Sequence, residues 1–163
     1  GNDDLSGHVE IDETYVGGRA RGKGRGPLAG GNKTIVLGMV ERGGSIMTQV
    51  VPDVKRATLL PRIKNHIKKG SLLNTDELQS YATIAKHGYA HSSVKHSEEE
   101  WVRGDTHINT LEGYWSHFKS GVLGTHRSIS RRHMMSYLGE FEFRFNRRRE
   151  VSGRMFDQLI KAF

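Results

Sequence analysis

The sequence predicts an α/β fold in one domain spanning residues 1–163. Its centre is a mixed five-stranded sheet, a three-strand antiparallel meander plus parallel strands, with helices on both faces. Two observations carry this reading. Three strand-like segments follow one another before any helical periodicity begins, which implies a meander. From there helical and strand patterns alternate, the order that lays helices over a partly parallel sheet. A chain of 163 residues with 35% hydrophobic content also suits one ordinary core.

Residues 1–7 (GNDDLSG) are polar and expected to fray. From His8, Val9 and Ile11 alternate with Glu10, Asp12 and Thr14, and Tyr15 and Val16 follow, which is a strand pattern. Propensity disfavours an aspartate in mid-strand, so Asp12 needs a reason. Gly17 to Lys33 is a glycine-rich basic loop. Its GGRARGKG stretch nearly matches a phosphate-cradling loop, but Gly24 stands where a magnesium-binding hydroxyl should be and no helix follows. The loop instead offers Arg19, Arg21, Lys23 and Arg25 to phosphates. Thr34 to Glu41 is nearly all apolar and β-branched, a central strand, and Ser45 to Val51 returns after the turn at Arg42-Gly43-Gly44.

Lys55 to Lys69 places Leu59, Leu60, Ile63 and Ile67 at helical spacing, and Gly70 stops that helix. Ser71 to Thr75 is a short apolar strand running into Asp76-Glu77. Leu78 to His87 reads as a short helix and Tyr89 to Lys95 as a fifth strand. After a polar segment, His107 to Lys119 (HINTLEGYWSHFK) shows helical periodicity in Leu111, Trp115 and Phe118, with a break expected over Gly121 to Thr125. Ser130 to Arg149 is a long helix with Met134, Tyr137, Leu138, Phe141 and Phe145 as its buried stripe. Arg154 to Phe163 is expected to form one last short helix.

Composition narrows the function. The net charge of +7 favours polyanionic partners, nucleic acid first. The chain has no cysteine, which excludes disulfides and cysteine-based zinc modules. No apolar run approaches the ~20 residues of a membrane helix, and no signal peptide is expected at the N-terminus. The nine histidines show no zinc-binding spacing.

Glu112 and Lys119 lie two turns apart on one helix face, with Asn109 one turn earlier on much the same side. If the strands carrying Asp12 and Asp76 are neighbours, their carboxylates converge and Glu112 can complete a cluster. Three acids on separate elements suit magnesium or manganese, and two such ions ~4 Å apart support phosphodiester chemistry. Glu13 and Glu77 each follow a candidate ligand and are expected to point to the opposite face. Glu140, Arg144 and Arg147 share a helix face, as an ion pair or as a DNA contact that Glu140 orients. His107 is placed to contact DNA or to cap the helix. Trp115 reads as core.

These motifs resemble the catalytic domain of bacterial insertion-sequence DDE transposases, the ISXO-like group. The resemblance rests on VEIDETYVGG around Asp12, NTDE around Asp76, HINTLEGYW with Lys119, and the Glu140–Arg144–Arg147 spacing. It implies an RNase H-like fold, a DNA substrate, and two magnesium or manganese ions held by Asp12, Asp76 and a third residue. Glu112 is the first choice for that third residue, since a carboxylate is the better ligand, and Asn109 is the alternative. It further implies cleavage at transposon ends and 3′-hydroxyl strand transfer. Lys119, Arg127, Arg131, Arg132, Arg144 and Arg147 would contact DNA. A homo-oligomer on DNA, a bacterial cytoplasmic, nucleoid-associated setting and a separate N-terminal DNA-binding module absent from this chain are expected on the same ground. A nuclease without strand transfer and a non-catalytic DNA-binding relic are the competing readings.

Overall fold

The computed structural model describes residues 4–17, 33–94, 106–125 and 131–150. Strands β1 (His8–Val16), β2 (Thr34–Glu41) and β3 (Ile46–Val51) form the antiparallel meander. Helix α1 (Arg56–His66) then crosses to β4 (Leu72–Thr75), which pairs parallel with β1, and β5 (Ala90–Ser93) pairs parallel with β4. The sheet order is β3-β2-β1-β4-β5. Helices α2 (Asn109–Thr125) and α3 (Arg131–Asn146) complete the described fold. The mixed five-stranded sheet expected from the sequence is therefore present.

Alternation along the strands sorts the core into two halves. Val9, Ile11, Leu37 and Met39 pack against Leu59 and Ile63 of α1 on one face. Val36, Val40 and Ile46 pack against Leu111, Trp115 and Phe118 of α2 and Met134 and Leu138 of α3 on the other. This explains the unbroken apolar run of β2: a central strand covered on both faces has no wet side. Each large buried side chain contributes roughly 2–3 kcal/mol by leaving water. Trp115 is core, as its spacing suggests. It seats against Gly38, where an added Cβ would stand 2.5 Å from Trp115 Cζ2 and 2.9 Å from Leu111 Cδ2. The bare strand backbone lets α2 approach the sheet.

Helix α3 covers the outer edge of β3 with side chains that imitate a neighbouring strand. The Ile46 N–H donates to Asn146 Oδ1 at 2.7 Å, and Asn146 Nδ2 donates back to the Ile46 carbonyl at 3.1 Å. Glu142 Oε2 accepts from the Thr48 N–H at 3.0 Å and its hydroxyl at 2.7 Å. An edge strand otherwise presents these groups to any passing chain.

Four local expectations need correction. Leu5 is not frayed: it is buried, and its backbone bonds to His66 and Lys68. The span 78–87 forms two 3₁₀ turns, Gln79–Tyr81 and Ile84–His87, rather than one helix. Gly121 does not break α2, which runs on to Thr125. A Cβ at Gly121 would lie 2.7 Å from Phe141 Cζ, so this glycine admits α3 rather than ending a helix. The fifth strand is shorter than Tyr89 to Lys95. The expected helix from Arg154 to Phe163 lies outside the described residues.

Candidate active site

The parallel register of β1 and β4 builds the site. His8 pairs with Leu72 and Glu10 with Asn74, an offset of 64 residues. Two residues further on, the same offset brings Asp12 beside Asp76, just past the carboxyl end of β4. That end of a parallel pair is where open α/β sheets bind ligands. Asp76 is fixed as the chain leaves the strand, its Oδ1 accepting the Leu78 N–H at 3.0 Å.

Carboxylate oxygens of Asp12, Glu13 and Asp76 lie within 4.8 Å of one another. Glu13 departs from the expectation that it would point away. It does leave β1 on the opposite face, where the Tyr81 hydroxyl donates to it at 2.7 Å. But β4 ends at Thr75, so nothing of that strand separates the two faces at this level, and the longer glutamate reaches Asp76 from behind. Glu112 is exposed on the first turn of α2, and its charge is close enough to act on Asp12. Asn109, the first residue of α2, is exposed.

The electrostatic consequence is large. Burial, then the charges of Glu13 and Asp76, then that of Glu112, push the Asp12 carboxyl up to about 8. Glu13 is also raised, by burial first and by Asp76 second, with the Tyr81 hydrogen bond opposing. Among the described residues no lysine or arginine pairs with any of these four acids. Converging carboxylates have the donor chemistry that hard divalent ions require.

Sequence reasoning missed Glu10, the buried carboxylate beneath the cluster. Its Oε2 accepts from Arg42 Nε at 3.1 Å. Its Oε1 accepts the N–H groups of Thr110 at 2.9 Å and Leu111 at 3.2 Å, at the N-terminus of α2. Helices need an acceptor there, and Ile108, which precedes the first helical residue, has none to offer. A signal was available: an apolar residue where Ser, Thr, Asp or Asn belongs asks for an outside acceptor.

The remaining candidates divide. His107 caps α2, its Nδ1 accepting the Asn109 N–H at 3.3 Å. Lys119 is half-buried on α2, two turns past Glu112. Arg132 is exposed near the start of α3. Arg144 pairs with Glu140 at 2.5 Å on the exposed side of α3. Glu142 and Asn146 bind β3, so this stretch of α3 lies along β3, two strands from β1, and Arg144 and Arg147 are not gathered with the acids. Arg147 instead stacks over Phe143 at 4.3 Å. Arg19, Arg21, Lys23, Arg25, Arg127 and the Arg131 side chain lie outside the described residues. No helix among the described residues is long and apolar enough to cross a membrane.

Comparison with known proteins places this arrangement. Residues 4–146 match the ISXO2-like transposase domain. An uncharacterized transposase-like protein of Haemophilus influenzae is 35% identical over 101 residues, covering 62% of this chain and 80% of that protein. An uncharacterized protein in transposable element ISH50 of Halobacterium salinarum is 30% identical over 159 residues, covering 86% of this chain. The chain spans 52% of that second relative's length. No solved structure matches it. With the domain match running through β1, β4, α2 and α3, the chain belongs to the ISXO2-like transposase domain family of insertion-sequence transposases.

Proposed function

We propose that this domain is the catalytic core of a DDE transposase, cutting DNA at transposon ends and joining the freed 3′-hydroxyl to target DNA. The observation that carries the reading is the convergence of Asp12 and Asp76 at the carboxyl ends of two parallel strands, with Glu13 in the same cluster and Glu112 near enough for its charge to act on Asp12. A sheet in the order β3-β2-β1-β4-β5, with only β2 antiparallel, suits the RNase H-like fold this reading expects. Asp12 and Asp76 would hold magnesium or manganese, with Glu112 as third catalytic acid and Glu13 as a further ligand. When bound, the ions would supply Lewis-acid stabilisation of the charge that builds on the attacking and leaving oxygens.

The chain's own groups have separable tasks. Asp12, protonated near neutral pH when alone, must give up its proton for the cluster to take a cation. Lys119, two turns beyond Glu112, contacts a phosphate of the DNA as a point charge. Arg132 and the basic span 19–25 hold the backbone further out. In cleavage, a water oxygen forms a bond to phosphorus and the bond to the 3′-oxygen breaks. In joining, that 3′-oxygen attacks a target phosphodiester and displaces its 3′-oxygen. Paired ends require a homo-oligomer on DNA.

The deciding experiment is a magnesium- or manganese-dependent cleavage and joining assay with Asp12→Asn and Glu112→Gln. Loss of both products in both variants is expected. Cleavage without joining in the parent chain would select a nuclease. Absence of cation binding would select a DNA-binding relic. Near-native rates in Glu112→Gln with a dead Asn109→Ala would transfer the third role to Asn109.

A further inference from the structure

The acids of the proposed site each stand one step beyond a buried polar anchor. Asp12 lies two residues past Glu10 on the same face of β1, ~6.6 Å along the strand. Asp76 lies two residues past Asn74, and Asn74 is the register partner of Glu10. Glu112 follows directly on Thr110 and Leu111, whose N–H groups end on Glu10. The anchors meet at one point, the backbone carbonyl of His107 where the chain enters α2. That carbonyl accepts from Arg42 Nη2 at 2.9 Å and from Asn74 Nδ2 at 3.1 Å.

We infer that Glu10, held by Arg42, is a positioning residue that sets the separation between the acids on the sheet and Glu112 on α2. The inference rests on the proposed function and names what holds that site in register. Glu10 reaches in two directions, with one oxygen toward the guanidinium of Arg42 and the other toward the first turn of α2. Only a carboxylate can accept on both sides. A glutamine would turn its NH2 toward one of two donors, and an aspartate is one methylene too short to span them. Arg42 is itself fixed, because its Nη1 donates to His8 Nδ1 at 3.1 Å and its backbone N–H to the His8 carbonyl at 2.8 Å. A simple helix cap needs none of this cross-bracing to β1 and β4. The bracing makes sense if the angle and height of the first turn of α2 over Asp12 matter.

The test is Mn²⁺ binding by the full chain, followed in Glu10→Gln, Glu112→Gln and the double variant, with thermal unfolding measured in parallel. Disturbing a group that orients a ligand weakens metal affinity by ~10–100-fold, and Glu10→Gln should fall in that range. In the Glu112→Gln background the same change should alter Mn²⁺ affinity by less than ~2-fold, because the ligand it positions is already gone. The thermal shift caused by Glu10→Gln should be equal in both backgrounds. Equal loss of Mn²⁺ affinity with and without Glu112, or no loss in the single variant, would overturn the inference and leave Glu10 a structural cap. Unchanged Mn²⁺ binding in Asp12→Asn would overturn the underlying site reading, and this inference with it. If Glu10→Gln does not fold, Arg42→Lys carries the same cycle, since it keeps the charge beside Glu10 and loses the bond to His107.

Discussion

Replacing Asp12 by asparagine should make the metal-free protein more stable at alkaline pH, an unusual outcome for a residue in the candidate catalytic centre. Asp12 titrates near 8 in the fold and near 3.8 in an ordinary setting. Between those values the folded chain holds a proton that the unfolded chain has released. Stability contributed by the neutral form is therefore complete below the unfolded value and is lost as pH rises toward 8. The slope has a ceiling of about 1.4 kcal/mol per pH unit, so moving from pH 5 to pH 8 costs at most ~4 kcal/mol. Glu13 is raised too and adds to the same trend. His91, lowered by burial, acts on the acid side and is common to both proteins. Urea unfolding in chelator at pH 5 and pH 8 gives the comparison. The parent chain should lose roughly 2–4 kcal/mol more than Asp12→Asn over that interval, and Mn²⁺ should restore the parent alone. Parallel pH profiles for the two proteins would refute the reasoning, because they would mean that Asp12 is already ionised in the fold.

Three further outcomes test the packing. Gly38→Ala should cost ~1–3 kcal/mol in urea unfolding, since its Cβ meets the Trp115 ring at 2.5 Å; Gly121→Ala should cost less, since helix propensity returns up to ~1 kcal/mol. Asn146→Ala removes both bonds that close β3 at Ile46, so it should lower stability by ~1–3 kcal/mol and produce concentration-dependent association in light scattering. Arg144→Ala should change stability by under ~0.5 kcal/mol, because the Glu140 pair is solvent-exposed. If Arg144 instead serves DNA, that variant should lose affinity and show a shallower salt dependence, and unchanged binding would leave it a surface ion pair.

Much of this architecture is legible in the chain as written. The alternation of Val9 and Ile11 with Glu10 and Asp12 marks β1 and its two faces, and the continuous run in Thr34–Glu41 marks a strand buried on both sides. Periodicity finds α2 and α3 because a helix against a sheet needs an apolar stripe whatever else it does. Asp12 and Asp76 can be picked out because an acid in or just after an apolar strand conflicts with its surroundings and so needs a purpose. Glycines carry less local information. Gly121 looks like a stop, and only the nearness of Phe141 shows that it is a point of close approach.

What the amino-acid order alone determined is the strands, the main helices and the candidacy of Asp12 and Asp76, since these follow from local pattern and side-chain chemistry. What only the tertiary structure decided is which groups meet. The 64-residue offset between β1 and β4 brings Asp12 to Asp76, the early end of β4 lets Glu13 reach around a strand, and Glu10 ties the start of α2 to the sheet. None of these is a local property. Strand register and helix docking are settled by the joint packing of residues a hundred positions apart, such as Glu10 with Thr110, and no window on the sequence contains both partners.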